Sequence, residues 1–159
     1  GTEGFMHRIG GLEKSNETGA ISTEPENHDL MTRLRAEKIA RIADGLPELE
    51  VEGCADADLL IVGFGGTYGH LHSAMDELNK AGKKAALAHF RFINPLPKNT
   101  AAVLRKYKKI VVAEQNLGQL AGYLRMNIEG IHLYQFNQVK GQPFVVQELV
   151  DAFTKIMEE

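Results

Sequence analysis

Leu59-Leu60-Ile61-Val62-Gly63-Phe64-Gly65-Gly66-Thr67-Tyr68-Gly69-His70-Leu71 decides the fold. An uncharged apolar run passes through a glycine-rich turn into Leu71, Ala74, Met75 and Leu78, which share one face of a helix that stops at Gly82. A strand apolar on both faces belongs to a sheet covered on both sides, and the helix behind it is the crossover that parallel strands require. The pattern recurs toward the C-terminus. Apolar runs at residues 85–90, 110–113 and 131–136 are each followed by a helix candidate: Ala101, Leu104 and Tyr107; then Leu117, Leu120, Ala121, Leu124 and Ile128; then Val146, Leu149, Val150, Phe153, Ile156 and Met157. Phe92-Ile93-Asn94-Pro95-Leu96-Pro97 is too short for a crossover and its X-Pro steps disfavour helix, so it reads as a turn into the next helix. The expected fold is α/β, a three-layer α/β/α sandwich around a mostly parallel sheet.

Upstream, residues 1–22 are glycine-rich and polar and read as a linker, with a short strand candidate at residues 8–12. Thr23-Glu24-Pro25-Glu26 offers a helix start in which Thr23 and Glu26 cap each other and Pro25 sits in the first turn. The helix is expected to run to about Asp44, with an apolar stripe of Leu30, Leu34, Ile39, Ile42 and Ala43 and a Glu37–Arg41 pair, until Gly45 and Pro47 end it. Residues 1–45 are therefore expected to form a linker and N-terminal helix, and residues 46–159 the α/β domain.

The 18 Lys and Arg against 21 Asp and Glu leave a net charge of −3 with no block of like charge, which excludes the clustered basic footprint that nucleic acid or an anionic membrane surface needs. No apolar run approaches the roughly 20 residues of a membrane span and no signal peptide is visible. The single cysteine, Cys54, permits neither an internal disulfide nor a CxxC site, so the chain reads as cytoplasmic.

Ligands of open parallel sheets bind beyond the carboxyl ends of the strands. The residues there are Gly65, Gly66, Thr67 and Gly69, then Arg91, then Glu114 with Asn116 and Gln119. These make a candidate anion or ligand edge. The glycine amides either cradle an anion at the helix N-terminus or merely allow a tight turn and close helix packing. The dinucleotide fingerprint fails, since GxGxxG from Gly63 requires glycine where Tyr68 stands, and no P-loop is present. Glu114, ending an apolar run, is either a carboxyl of raised pKa available for proton transfer or an acceptor for the backbone amides of the helix start beyond Asn116. His70 and His72 point apart on a helix and cannot share a metal ion, His89 reads as a core histidine, and Cys54 as a structural thiol. No complete set of nucleophile, base and orienter appears, so no catalytic, cofactor-binding or metal-ligating residue is assigned.

Several segments taken together resemble the C-terminal part of the alpha subunit of 2-oxoacid:ferredoxin oxidoreductases, closest to the 2-oxoglutarate type. They are Ile9-Gly10-Gly11-Leu12-Glu13 with Thr18-Gly19; Pro25-Glu26-Asn27-His28-Asp29-Leu30-Met31 with Arg35 and Lys38; Gly65-Gly66-Thr67-Tyr68-Gly69; Asn94-Pro95-Leu96-Pro97; Glu114-Gln115-Asn116-Leu117-Gly118-Gln119-Leu120; and Gly141-Gln142-Pro143-Phe144 before Glu148-Leu149. The Gly65-Gly66 pair departs from the Ser or Thr expected there. The resemblance implies a Rossmann-like, transketolase C-terminal-like domain whose sheet has about five strands, one edge strand running antiparallel. Four strands are legible above, and the fifth is open between residues 49–51, Val139 with its neighbours, and the segment near Ile9.

The resemblance further implies an oxidoreductase that converts 2-oxoglutarate, CoA and oxidised ferredoxin to succinyl-CoA, CO2 and reduced ferredoxin, using thiamine diphosphate, Mg2+ and a [4Fe-4S] relay held elsewhere. This chain is then a structural and assembly domain, inactive alone and binding none of those cofactors. Its partners are the rest of the alpha subunit and the thiamine-binding beta subunit, with ferredoxin and CoA serving the whole enzyme. The Leu117 to Ile128 helix and the strand-end loops are expected to offer apolar surface to those partners. A second expectation, of a different class, is a small-anion or ligand-binding regulatory module built on the 65–69 turn with Arg91 as counter-ion.

Overall fold

The computed structural model describes residues 2–6 and 10–159, which fall into two units, Gly1–Gly45 and Leu46–Glu159. In the first, Lys14 and Ile21 form an antiparallel bridge closed by a turn in which Ser15 N–H donates to the Ala20 carbonyl at 2.8 Å. The strand candidate at residues 8–12 falls partly outside the described residues, and the described Gly10, Gly11 and Leu12 are bends. Helix α1 spans Pro25–Ala40 and tightens into a 3-10 turn at Arg41–Gly45. Its N-cap is Glu24 with no side-chain cap, so the expected Thr23–Glu26 exchange does not form. The expected apolar stripe is not a core either, because no residue of α1 is buried. Charge ties the unit together instead. Glu13 lies 2.7 Å from His28 Nδ1 and accepts from Arg35 at 3.0 Å, while Asn27 Nδ2 donates to the Lys14 carbonyl at 2.9 Å. The contacts with His28 and Arg35 hold the Glu13 carboxyl below its ordinary pKa.

In the second unit the strands are β1 (Glu52–Gly53), β2 (Leu59–Phe64), β3 (Ala85–Phe90), β4 (Lys109–Glu114) and β5 (Tyr134–Asn137). The helices are α2 (Tyr68–Lys80), α3 (Thr100–Leu104), α4 (Gln119–Asn127) and α5 (Val146–Glu158). The sheet order is β1-β3-β2-β4-β5, parallel except for β1, which pairs antiparallel to β3 through Glu52↔Leu87 and Gly53↔Ala86. The fifth strand is therefore none of the three candidates, though it starts one residue after the first of them. Val139 lies in the loop after β5, and Ile9 lies outside the described residues.

Side chains of β2 alternate between two cores. Leu60 and Val62 pack with Val103 and Leu104 of α3 and Leu120, Ala121 and Leu124 of α4. Leu59 and Ile61 pack with Leu71, Ala74, Met75 and Leu78 of α2 and Leu149 and Phe153 of α5. Each fully buried Leu or Ile contributes roughly 1.5–3 kcal/mol, so two such cores hold the three layers. Phe136 meets Phe144 and Phe153 edge-on at 5.6 and 6.2 Å, seating α5. Lys109 Nζ donates to the carbonyls of Ile156 and Met157 at 3.0 and 2.7 Å and closes the end of that helix.

Candidate functional site

Chain direction reverses between two neighbouring strands. From β2 the chain crosses through α2 to β3 on one side, and from β4 through α4 to β5 on the other, which places the ligand crevice of such sheets between the ends of β2 and β4. Glu114 ends β4 there, completely buried. Its carboxyl accepts the backbone N–H of Leu120 at 2.6 Å and of Ala121 at 2.9 Å, so both oxygens cap the N-terminus of α4. Asn116 Oδ1 accepts from Gly118 N–H and Gln119 N–H at 2.8 and 2.9 Å, and Gln138 N–H donates to the Glu114 carbonyl at 3.0 Å. Gly118 has φ +94°, and a Cβ there would overlap the Gln135 amide and come within 3.1 Å of Asn137. The candidate residues Glu114, Asn116 and Gln119 thus form one turn in which the Glu114 carboxyl and Asn116 Oδ1 are used internally, while Gln119 contributes its backbone N–H and keeps its side chain exposed. Outward it presents Leu117, 87% exposed, between Gln115 and Gln119, which are also exposed. The rest of the expected apolar face, Leu120, Ala121, Leu124 and Ile128, is packed inward, so the helix itself does not offer the expected apolar surface.

The turn after β2 is built differently. Gly63 is required by close approach, since a Cβ would overlap Leu71 Cδ1 and lie 2.9 Å from Thr67 Oγ1. Thr67, buried, donates its hydroxyl to the Phe64 carbonyl at 2.9 Å. Gly65 takes φ +63° in the 3-10 turn Gly65–Thr67, and open space surrounds Gly65, Gly66 and Gly69. Packing therefore explains Gly63, while the glycine face itself remains uncovered.

Arg91, the remaining candidate, lies past the end of β3 and lines a cleft of about 370 Å³. Sequence reasoning missed the rest of that cleft: Glu48, Glu50 and Glu52 alternate along the extended approach to β1, and Tyr68 and Phe92 supply aromatic walls. Their period-2 spacing was the available signal. The Tyr68 hydroxyl donates to Glu52 at 3.0 Å, which raises its pKa above the ordinary phenol value. His72 stands 3.5 Å from Glu52 and 3.4 Å from Asp76. The His89 ring meets Tyr68 edge-on at 5.2 Å and lies 3.5 Å from Thr67 Oγ1. Burial lowers its pKa below 6.5, with Arg91 pushing the same way and Glu52 opposing.

An iron–sulfur cluster does not fit this donor set. Cys54 is one thiol where a cluster needs four, and it donates to Asn79 Oδ1 at 3.4 Å. Among the described residues no three metal-ligating side chains converge, and no helix is long and apolar enough to cross a membrane.

A mixed five-stranded sheet between two helical layers, with the crevice at its direction change closed by its own buried carboxyl, defines an α/β sandwich domain whose strand ends largely serve its own architecture. The family model for pyruvate:ferredoxin oxidoreductase core domain II matches residues 57–149, and the chain belongs to that family. It is 47% identical over 152 residues to 2-oxoglutarate oxidoreductase subunit KorA of Mycobacterium tuberculosis, covering 94% of this chain and 22% of the relative. It is 29% identical to the 2-oxoacid:ferredoxin oxidoreductase 2 subunit alpha of Aeropyrum pernix, over 94% of this chain and 24% of that one. Among solved structures it superimposes with a TM-score of 0.88 and 32% identity on the 2-oxoglutarate:ferredoxin oxidoreductase from Magnetococcus marinus with 2-oxoglutarate, coenzyme A and succinyl-CoA bound, covering 99% of this chain and 28% of that one. The chain spans about a fifth to a quarter of the length of the curated relatives it matches.

Proposed function

We propose that this chain is an assembly domain of a thiamine-dependent 2-oxoacid:ferredoxin oxidoreductase alpha subunit, acting on 2-oxoglutarate. The observation that carries this reading is the turn after β4: its buried carboxyl and the Asn116 side-chain oxygen are spent inside the domain, and it holds Leu117 out at 87% exposure. An exposed apolar side chain gains from being taken out of water, which suits it to a docking surface. Decarboxylation of a 2-oxo acid with electron transfer to ferredoxin needs an electron sink and a low-potential relay, and these belong to other parts of the assembly. The residues here close and brace the structure around them. The partners are the rest of the alpha subunit, the thiamine-binding beta subunit, ferredoxin and CoA.

The test is Leu117→Asp in the full-length alpha chain, co-expressed with the thiamine-binding subunit. Co-purification and 2-oxoglutarate turnover are expected to fall together by at least about tenfold, the scale of one lost anchor residue. The melting temperature of the 159-residue chain carrying the same change is expected to stay unchanged. Full assembly and turnover by the variant would rule out the docking role.

A further inference from the structure

The cleft beside β3 shares no lining residue with the turn that carries Leu117, and its charges suit a different occupant. Its volume, about 370 Å³, falls within the roughly 300–1,000 Å³ of small-molecule sites. The floor is Leu49, 6% exposed, whose backbone is held at both ends by Asn99: Leu49 N–H donates to Oδ1 at 2.8 Å and Nδ2 donates to the Leu49 carbonyl at 3.0 Å. One wall is Tyr68, kept in place by its bond to Glu52, and another is Phe92. Glu48, Glu50 and Arg91 form no hydrogen bond or ion pair among the described residues. Unpaired charges of both signs thus line one small cleft without neutralising each other. A simple anion, such as phosphate or a dicarboxylate, would face three glutamates. A bare metal ion would face Arg91, with no converging ligand set among the described residues.

We infer that the cleft binds a small zwitterion, an α-amino acid with an apolar side chain. Arg91 takes the carboxylate through its planar fork, Glu48 and Glu50 take the ammonium, and the side chain lies against Tyr68, Phe92 and Leu49. His89, kept neutral at pH 7 by burial, adds no further charge at the rear of the site. Binding here is independent of docking through Leu117, which lies on another turn, so Leu117→Asp is expected to leave it intact.

Titration of the 159-residue chain, followed by amide shifts in its two-dimensional NMR spectrum, tests this with L-leucine and L-phenylalanine as zwitterions. The comparison ligands are 4-methylpentanoate, which keeps only the carboxylate, 3-methylbutylamine, which keeps only the amine, and inorganic phosphate. At least one amino acid is expected to give saturable shifts centred on Tyr68, His89, Arg91 and Phe92. Each half-ligand, and phosphate, should bind at least about tenfold more weakly, as loss of a charge-assisted contact predicts. Arg91→Ala and Glu50→Gln should each weaken the amino acid about tenfold, whereas Lys106→Ala, on an exposed surface elsewhere, should not. Phosphate or 4-methylpentanoate binding as tightly as either amino acid would make this an anion site and overturn the inference. So would the absence of saturable shifts with both amino acids, or undiminished binding by Arg91→Ala.

Discussion

Two strand-to-helix turns stand side by side at the carboxyl edge of the sheet, and they treat their polar groups in opposite ways. After β4, a buried carboxyl, an asparagine side-chain oxygen and the Glu114 carbonyl are consumed inside the turn, and apolar Leu117 is left outside between two exposed glutamines. After β2, only Thr67 is consumed, the glycines look into open space, and an unpaired arginine stands in the adjoining cleft. Identical topology thus yields one turn that is finished as structure and another that leaves polar chemistry on offer. Position at a strand end does not by itself make a site; the difference lies in whether the buried acceptor already has its donors.

The comparison breaks first at Glu114. Glu114→Ala leaves the amides of Leu120 and Ala121 buried without acceptors, at about 1–3 kcal/mol each, so a loss of about 3 kcal/mol or more is expected in urea unfolding of the chain. A loss below about 1 kcal/mol would mean that the turn after β4 is no more self-sufficient than its neighbour. Glycine substitutions then separate the inner and outer surfaces of the turn after β2. Gly63→Ala drives a methyl into Leu71 and Thr67 and is expected to cost about 1–3 kcal/mol. Gly69→Ala, in the first turn of α2 with nothing near its Cβ, is expected to stabilise by about 0.4–1 kcal/mol. Opposite signs at two glycines six residues apart would be read from the same thermal melts. Destabilisation by Gly69→Ala would show that the glycine face is covered after all.

Most of the architecture was legible because burial on both faces leaves an unmistakable mark. The runs that became β2, β3 and β4 carry no interruption, and the stripes of α2 and α5 are regular. What escaped had the opposite physics. Strand β1 is two exposed residues, held by pairing to β3 rather than by hydrophobic burial, so composition gave no cue. Helix α1 displays a credible apolar stripe yet buries none of it, and its local order comes from Glu13, which is twelve residues before Pro25 and invisible to any helical period. The strand-end residues were found as positions but split into two places: Glu114, Asn116 and Gln119 in one turn, Gly65 to Gly69 and Arg91 around another. The acidic side of the cleft was missed because Glu48, Glu50 and Glu52 look like an ordinary solvated stretch until the chain folds them against Tyr68.

The smallest effect expected concerns His89, which lies on β3 beside the open part of the edge. Burial favours its neutral form, so its folded pKa lies below the unfolded value near 6.5, with Arg91 adding to the shift and Glu52 working against it. Between those two values the unfolded chain binds more protons than the folded one, and stability therefore rises with pH. The contribution of His89 is complete above 6.5 and is lost as pH falls through that value toward the folded pKa. In His89→Gln the part of the decline in melting temperature between about pH 7 and about pH 5 that belongs to this ring should disappear. Removing Arg91 should shrink the same decline by relieving repulsion on the imidazolium, while Glu52→Gln should enlarge it. If Glu52→Gln flattened the profile, the carboxylate would not be acting on His89 across the cleft, and the turn after β2 would be as electrically closed as the one after β4.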